Sequence, residues 1–212
     1  VDFQHHYVPI DLAKKKGLYS EKVVFASDGA VPSLTMHAKL YDPEAQLKDM
    51  DEAGVDVSVL SCLLGWTAPL EECQLINERL GEMHRKFPDR FVGLAQAPIL
   101  EGKPALDELD RAVHKLGLHG VTITSQVHGL PLYSPKLEDF YAKVNELNVP
   151  IFVHPVMVPK GYDLVKDYDL GRIIGREMDL ALATTRIIAG GILERFPNLK
   201  FVIGHFGGGI VG

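Results

Sequence analysis

Six short apolar segments, separated by helical patterns, constrain the fold of this chain more than any other feature. The segments are rich in β-branched residues and almost continuously apolar, which is typical of strands buried on both faces of a parallel sheet. Strands that alternate with helices predict an α/β domain built from successive βα units. We predict these strands at Asp2–Tyr7, Val55–Leu60, Phe91–Ala95, Gly120–Thr124, Pro150–Val153 and Lys200–Ile203.

Two architectures share this pattern, the TIM-type (β/α)8 barrel and the open doubly wound sheet. The doubly wound sheet often binds dinucleotides through a Gly-x-Gly-x-x-Gly run after its first strand, and no such run follows Asp2–Tyr7. We therefore predict a TIM-type barrel that is truncated to about six βα units, with residues 1–212 as a single domain.

Local signals place the helices between the strands. Asp42-Pro43-Glu44 is typical of an N-cap, a first-turn proline and an acidic first turn, and Gly54 is placed to end that helix. Two long connections, residues 8–41 and 156–169, follow strands and are expected to shape a substrate pocket. Further helices are predicted to begin near Leu70, Pro104, Ser134 and Arg172. In the helix that follows Asp42, the face predicted to point inward carries Leu47, Met50 and Ala53. In the helix that begins near Pro104, it carries Leu106, Leu109, Val113 and Leu116.

Composition and charge exclude several classes of protein. The formal net charge is −6 and both signs are interspersed, so no basic stripe suggests a nucleic-acid partner. The longest apolar stretch, Leu180 to Leu193, is interrupted by polar residues and is too short to span a bilayer. Cys62 and Cys73 are the only cysteines, and we expect them to be reduced thiols of a cytoplasmic protein.

Three of the predicted strands end in or near a histidine, and these are the strongest candidates for chemistry. His6, His154 and His205 lie at such positions, and the carboxyl ends of parallel strands converge on the mouth of a barrel. Because neutral imidazole is the commonest protein ligand for transition metals, the pattern indicates a metal site. Gln4 lies two residues from His6, so an alternating strand would point both side chains to one face. His205 is suited either to ligate the metal or to act as a general acid/base.

Other residues give weaker signals. Trp66 follows a strand, where it would either form a pocket wall or pin its loop to the core. Cys62 ends the same strand, so a thiol nucleophile stays open but has less support than a metal. Five further histidines do not lie at strand ends. His84 and His114 lie on predicted helices among charged residues and are expected to be solvated, and His119 is expected in a helix-to-strand loop away from the mouth. His37 and His128 are expected in loops that reach toward the mouth.

Several motifs, in the same order along almost the whole chain, resemble the amidohydrolase superfamily. More narrowly, they are similar to the amidohydrolase-related (amidohydrolase-2) family around aminocarboxymuconate-semialdehyde decarboxylase. The matching motifs are Asp2-x-Gln4-x-His6-x-x-Pro9, Met50-Asp51-x-x-Gly54-Val55-Asp56-Val57-x-Val59-Leu60-Ser61, Arg90-Phe91-Val92-Gly93-Leu94, Gly120-Val121, Phe152-Val153-His154-Pro155, and Leu193-Glu194-Arg195-Phe196-Pro197 followed by Gly204-His205.

The resemblance implies a (β/α)8 barrel with one divalent metal, zinc in most members and manganese in some. In that family a His-x-His pair on the first strand, a His after the fifth and an Asp after the eighth bind the metal, while a His after the sixth acts on metal-bound water. Carried across by motif, His6 and His154 become metal ligands, with Gln4 at the remaining first-strand position, and His205 becomes the catalytic acid/base. Members decarboxylate small carboxylic acids, and relatives often form homodimers.

The sequence departs from the family pattern in three places. Gln4 stands where the first His of the pair often stands, which should weaken the metal site. Gln46 stands where several relatives carry an Arg that pairs with a substrate carboxylate, and a neutral amide cannot supply that charge-assisted bond. The sequence also ends after the sixth predicted strand, so strands seven and eight, with the acidic ligand, have no counterpart.

Three functional hypotheses follow from the residues and the resemblance. The leading one is a metal-dependent, non-oxidative carboxy-lyase that decarboxylates a small unsaturated or aromatic carboxylic acid, with Trp66 as a substrate contact. The alternative is a metal-dependent hydrolase of a lactone or amide at the same site. The third is a non-catalytic barrel fragment or pseudoenzyme, which the departures at Gln4 and at the acidic ligand would favour.

Overall fold

The structure is a computed structural model that describes residues 1–27, 32–156, 159–161, 165 and 167–210. Its strands are β1 (Asp2–His6), β2 (Val24–Ser27), β3 (Pro32–Met36), β4 (Ser58–Ser61), β5 (Phe91–Ala95), β6 (Gly120–Thr124), β7 (Gln126–Val127), β8 (Leu130–Pro131), β9 (Pro150–His154) and β10 (Lys200–Ile203). Its α-helices are α1 (Ile10–Lys15), α2 (Pro43–Ala53), α3 (Leu70–Lys86), α4 (Lys103–His114), α5 (Glu138–Leu147), α6 (Arg176–Ala189) and α7 (Ile192–Arg195). Among these helices, none is long and apolar enough to cross a membrane.

The chain divides into two compact units. The first comprises Val1–Pro98 with Arg111–His119, and the second comprises Ile99–Asp110 with Gly120–Gly212. In the first unit β4 pairs in parallel with both β1 and β5, and in the second unit β9 pairs in parallel with both β6 and β10. All six predicted strands are present, each pairs in parallel within its own unit, and helices lie between them in the sequence, so the predicted α/β class is confirmed.

The first unit is held together by apolar side chains from its strands and from α3. Leu60 on β4 and Phe91 on β5 are fully buried, as are Ile76 and Leu80 on the inner face of α3. Their spacing follows the helical period that predicted this helix from Leu70 onward. The result is a rigid support for the carboxyl ends of β1 and β4.

The second unit has an equivalent core. Ile151 and Val153 on β9 are fully buried, and Phe140 and Val144 on α5 bury the same helical face that the sequence predicts. Residues Ile151 to His154 are all buried, as expected for a strand covered on both faces, and the pairing of Thr124 with His154 places the ends of β6 and β9 side by side.

Local capping signals are confirmed at α2. The Asp42 carboxylate accepts hydrogen bonds from the backbone N–H groups of Glu44 and Ala45, and Gly54 ends the helix at φ 67°. The predicted inward face is only partly right. Met50 and Gln46 are buried, Leu47 is half-buried and Ala53 is exposed, because the face turns toward the end of β1.

The inward face predicted for α4 is also partly wrong. Leu109 is buried as predicted, but Leu106, Val113 and Leu116 are only half-buried. The buried neighbours of Leu109 are the small side chains Ala105 and Ala112 together with Glu108. Small residues allow a helix to approach closely, so the buried stripe of α4 lies one position away from its largest apolar residues.

Two antiparallel hairpins were not predicted. β2 pairs with β3 inside the connection of residues 8–41, which was predicted as a loop and also contains α1. β7 pairs with β8 through a two-residue turn at His128 (φ 51°) and Gly129 (φ 81°). A left-handed residue followed by glycine is typical of a tight hairpin turn, so the loop that was predicted to carry His128 is a two-residue hairpin turn. Of the predicted pocket loop at residues 156–169, residues 157, 158, 162–164 and 166 lie outside the described residues.

Candidate active site

His6 is the last residue of β1 and lies at the carboxyl end of the first unit's sheet. Its Nδ1 is 3.0 Å from the hydroxyl of Ser61, the residue beside it at the end of β4. The Trp66 ring packs edge-on against the imidazole, with ring centroids 6.1 Å apart and planes at 83°. The structure therefore brings together two of the sequence-predicted site residues, His6 and Trp66.

Gln4 lies in an irregular part of the same strand. The register of β1 against β4 shifts between Asp2 and His5, so the regular alternation that was predicted for the strand is interrupted there. Gln4, His5 and His6 are all half-buried, and their burial does not separate two faces. The Gln4 backbone N–H donates to Asp2, as does the His5 ring. Burial alone would raise the pKa of the Asp2 carboxyl, but these hydrogen bonds outweigh it and lower the pKa below its ordinary value.

Gln46 connects α2 to the end of β1. Its side chain is 4% exposed, and its Nε2 donates to the backbone carbonyls of His6 at 3.0 Å and Lys39 at 2.9 Å. The amide at this position therefore fixes the backbone that carries His6. Its Oε1 has no hydrogen-bond partner within the described part of the chain.

A buried polar network that the sequence analysis missed holds the end of β4. Gln96 follows β5 directly and exchanges two hydrogen bonds with the backbone of Cys62, and its own backbone exchanges two with the Asn77 side chain. A Cβ at Gly65 would lie 2.4 Å from the Gln96 Oε1, so glycine is needed beside Trp66. A polar residue immediately after a buried strand was the available sequence signal for Gln96.

Both cysteines are free and buried, in agreement with the predicted reduced thiols. Burial raises the pKa of the Cys62 thiol to about 12. Since the thiolate is the nucleophilic form, Cys62 stays protonated near neutral pH and does not serve as a nucleophile.

His154 is the last residue of β9 in the second unit, as predicted. Its side chain is 4% exposed, and its Nδ1–H donates to the Pro155 carbonyl at 2.8 Å. This bond selects the tautomer with its lone pair on Nε2 and orients the ring, as backbone carbonyls do for histidines that ligate metals. The imidazole is thus held rigidly at the strand end.

His205 lies two residues beyond β10, next to His154. Their ring centroids are 6.0 Å apart and the ring planes meet at 72°. His205 has a left-handed backbone (φ 49°), and its Nδ1 lies 2.6 Å from the Oε1 of Glu177 on α6. The structure therefore brings the two strand-end histidines of the second unit together and adds a carboxylate that the sequence did not indicate.

The remaining histidines lie outside this pair. His84 was predicted to be solvated, but it is half-buried, and its Nδ1 donates to the Phe91 carbonyl at 2.7 Å. Its ring packs edge-on against His119 with centroids 4.6 Å apart. Burial, together with the charge of His84, lowers the pKa of His119. His37 lies before a short 3-10 turn, and His114 is exposed on α4.

The donor chemistry of the candidate residues fits a divalent metal. Imidazole nitrogens suit zinc, manganese and related ions, and an amide oxygen is a weaker ligand of the same ions. The backbone-oriented ring of His154 is the observation that supports this fit. Across the described residues, no group of three or more His, Cys, Asp and Glu side chains is arranged to hold a metal ion.

Solved structures show which known fold the chain adopts. The chain resembles 5-carboxyvanillate decarboxylase from Sphingomonas paucimobilis with a TM-score of 0.82 and 24% identity, over 99% of this chain and 68% of the other. It also resembles dihydroxybenzoic acid decarboxylase from Polaromonas sp. JS666, solved with bound manganese and the inhibitor 2-nitroresorcinol, with a TM-score of 0.76, 24% identity, and coverage of 99% and 66%. These similarities confirm the predicted TIM-type α/β fold class.

The family follows from the sequence comparison. The model of the Amidohydro_2 (amidohydrolase) family matches residues 1–212, and the chain belongs to this family. It is 31% identical over 175 residues to 2-amino-3-carboxymuconate-6-semialdehyde decarboxylase of Dictyostelium discoideum. That alignment covers 79% of this chain and 48% of the relative, so the chain spans about half the length of this curated relative.

Proposed function

We propose that the protein acts as a metal-dependent, non-oxidative decarboxylase of a small unsaturated or aromatic carboxylic acid. The observation that carries this proposal is the pair of imidazoles, His154 and His205, at the carboxyl ends of adjacent parallel strands. The named relatives, which decarboxylate a carboxymuconate semialdehyde, a carboxyvanillate and a dihydroxybenzoic acid, support the reaction type and the substrate class.

The proposed metal ligands are His154, His6 and Gln4. Their support is the resemblance to the family together with the hydrogen bonds that orient each imidazole. Manganese in the Polaromonas relative supports a divalent ion, and zinc is the alternative from the wider resemblance. When bound, such an ion supplies a Lewis acid that polarises an oxygen of the substrate.

His205 is proposed to move the proton in the reaction. Cleavage of the bond between the carboxylate carbon and its neighbour releases CO2 and leaves an electron pair on the neighbouring carbon. His205 donates a proton to that carbon, which replaces the lost carboxylate by a C–H bond. Trp66 is proposed to contact the apolar part of the substrate, because its half-buried ring lies beside His6.

The cytoplasmic location and a homodimeric state stay proposals as well. The location rests on the two free thiols, and the dimer rests on the resemblance alone.

Decarboxylation can be tested directly with the full chain and a panel of acids. The panel contains 2,6-dihydroxybenzoate, 5-carboxyvanillate and 2-amino-3-carboxymuconate semialdehyde, each supplied with Mn²⁺ or Zn²⁺. We expect metal-dependent release of CO2 from at least one acid, and we expect His154→Ala and His205→Ala to lower kcat by about 100-fold or more.

The matched control is His114→Ala, which removes an exposed imidazole from a helix and should leave kcat unchanged. Ring opening of a lactone or amide without CO2 would contradict the proposal in favour of a hydrolase. Absence of turnover of every acid by metal-loaded protein would contradict it in favour of a non-catalytic chain.

A further inference from the structure

A carboxylate on α6 contacts the proposed acid/base directly. The Oε1 of Glu177 lies 2.6 Å from Nδ1 of His205, and the two side chains are 28% and 22% exposed. A ring nitrogen at this distance from a carboxylate oxygen donates a hydrogen bond to it. The contact therefore places a proton on Nδ1 of His205.

The glycine run after β10 makes this contact sterically possible. Phe206, Gly207 and Gly208 all have left-handed backbones, so the chain turns sharply after His205. A Cβ at Gly208 would lie 2.1 Å from the Glu177 carbonyl oxygen and 2.9 Å from the Ala181 nitrogen. Glycine at 208 thus allows the turn to approach the backbone of α6 and holds His205 beside Glu177.

One arginine lies near the carboxylate of Glu177. Arg176 Nε lies 3.5 Å from the same oxygen that His205 contacts. The other acidic residue in the first turn of α6, Asp179, has a different partner, because its Oδ1 accepts from Nε2 of Gln126 at 2.7 Å. Within the described residues, Glu177 is thus the carboxylate that contacts His205.

We propose that Glu177 is a positioning residue for His205. By accepting the hydrogen bond from Nδ1–H it fixes the ring orientation and places the lone pair of the neutral imidazole on Nε2. Nε2 can then take up a proton from water and pass it to the substrate carbon. This inference rests on the proposed function, in which His205 moves the proton. No resemblance or motif marks Glu177, which precedes His205 by 28 residues.

The tautomer of His205 gives a test that does not depend on activity. In the full chain labelled with ¹⁵N-histidine, long-range ¹H–¹⁵N correlation spectra distinguish a proton on Nδ1 from one on Nε2, and His205→Gln assigns the signal. We expect the Nδ1–H form in the unaltered protein and a shift toward the Nε2–H form in Glu177→Leu, which removes the acceptor at similar volume. Glu177→Gln keeps an acceptor oxygen and should restore the Nδ1–H form.

Kinetics provide the second readout. We expect Glu177→Leu to lower kcat by about 10- to 100-fold with KM within about twofold, and Glu177→Gln to recover part of the loss. Glu194→Leu is the matched control, because Glu194 is exposed in the same unit and should alter neither the spectrum nor kcat.

The two readouts separate this inference from the proposed function. Persistence of the Nδ1–H form in Glu177→Leu would overturn the positioning role, whatever the activity. A kcat in Glu177→Leu equal to that of Glu194→Leu would overturn it as well. If no acid is decarboxylated but the tautomer changes as expected, the contact is supported and the proposed function alone fails.

Discussion

The imidazole rings at the strand ends are oriented by hydrogen-bonding partners that lie close to each strand end. His154 donates to the carbonyl of the proline that follows it, and His6 contacts the hydroxyl of Ser61 on the adjacent strand. Each contact engages Nδ1, so both rings are oriented in the way that histidines ligating metals through Nε2 usually are. The strand-end pattern predicted both positions correctly, because it depends only on local sequence.

At the same scale, Glu72 provides a pH-dependent contribution to stability. Its ion pair with Lys16, whose Nζ lies 2.7 Å from Oε2, lowers the pKa of this carboxyl below its ordinary value. The lowered pKa means that the stabilisation is complete above the unfolded-state pKa and is lost as pH falls through the lower folded-state value. We expect Glu72→Gln to reduce the free energy of unfolding by about 1 kcal/mol at neutral pH and by less at acidic pH, where the carboxyl becomes protonated, measured by urea denaturation.

Glu71→Gln serves as the control for that measurement. Its carboxylate is 77% exposed and lies 3.8 Å from Lys15, so it should contribute little at either pH. An effect of Glu72→Gln that stays the same at both pH values would show that the carboxylate charge plays no part.

Helices and strands show which interactions a sequence can specify alone. The bounds of β5, β6 and β10 and the cap of α2 follow from apolar runs, proline and a capping aspartate, all within a few residues. Contacts between distant elements could not be predicted in this way. Gln46 reaches His6 across 40 residues and Glu177 reaches His205 across 28, and no local periodicity encodes either pair.

The cap of α2 allows a prediction at this scale. Asp42 satisfies the N–H groups of Glu44 and Ala45 that begin the helix. We expect Asp42→Ala to lower the free energy of unfolding by about 1 kcal/mol, because those donors lose their acceptor. Asp42→Asn keeps a capping oxygen and should lose much less. Equal losses in thermal or urea unfolding would show that the cap is not what stabilises the helix.

For the whole molecule, the family and the fold class were predictable because six different motifs of the family occur along the chain in the family's order. The hairpins β2–β3 and β7–β8 were not predicted, since their strands are short and lie within segments that look like loops. The positions of the candidate-site residues were predicted in part. The strand-end histidines and Trp66 lie where the sequence placed them, but the contacts of Glu177, Gln96 and Ser61 exist only in the folded chain.

Metal binding is the most direct test of the central claim, which is that imidazoles at strand ends hold a catalytic divalent ion. The full chain, loaded with Mn²⁺ or Zn²⁺ and freed of excess ion, is analysed by mass spectrometry for metal content. We predict about one equivalent per chain, with strong losses in His154→Ala and His6→Ala but not in His114→Ala. Less than about a tenth of an equivalent, or binding that both strand-end substitutions leave unchanged, would contradict the account.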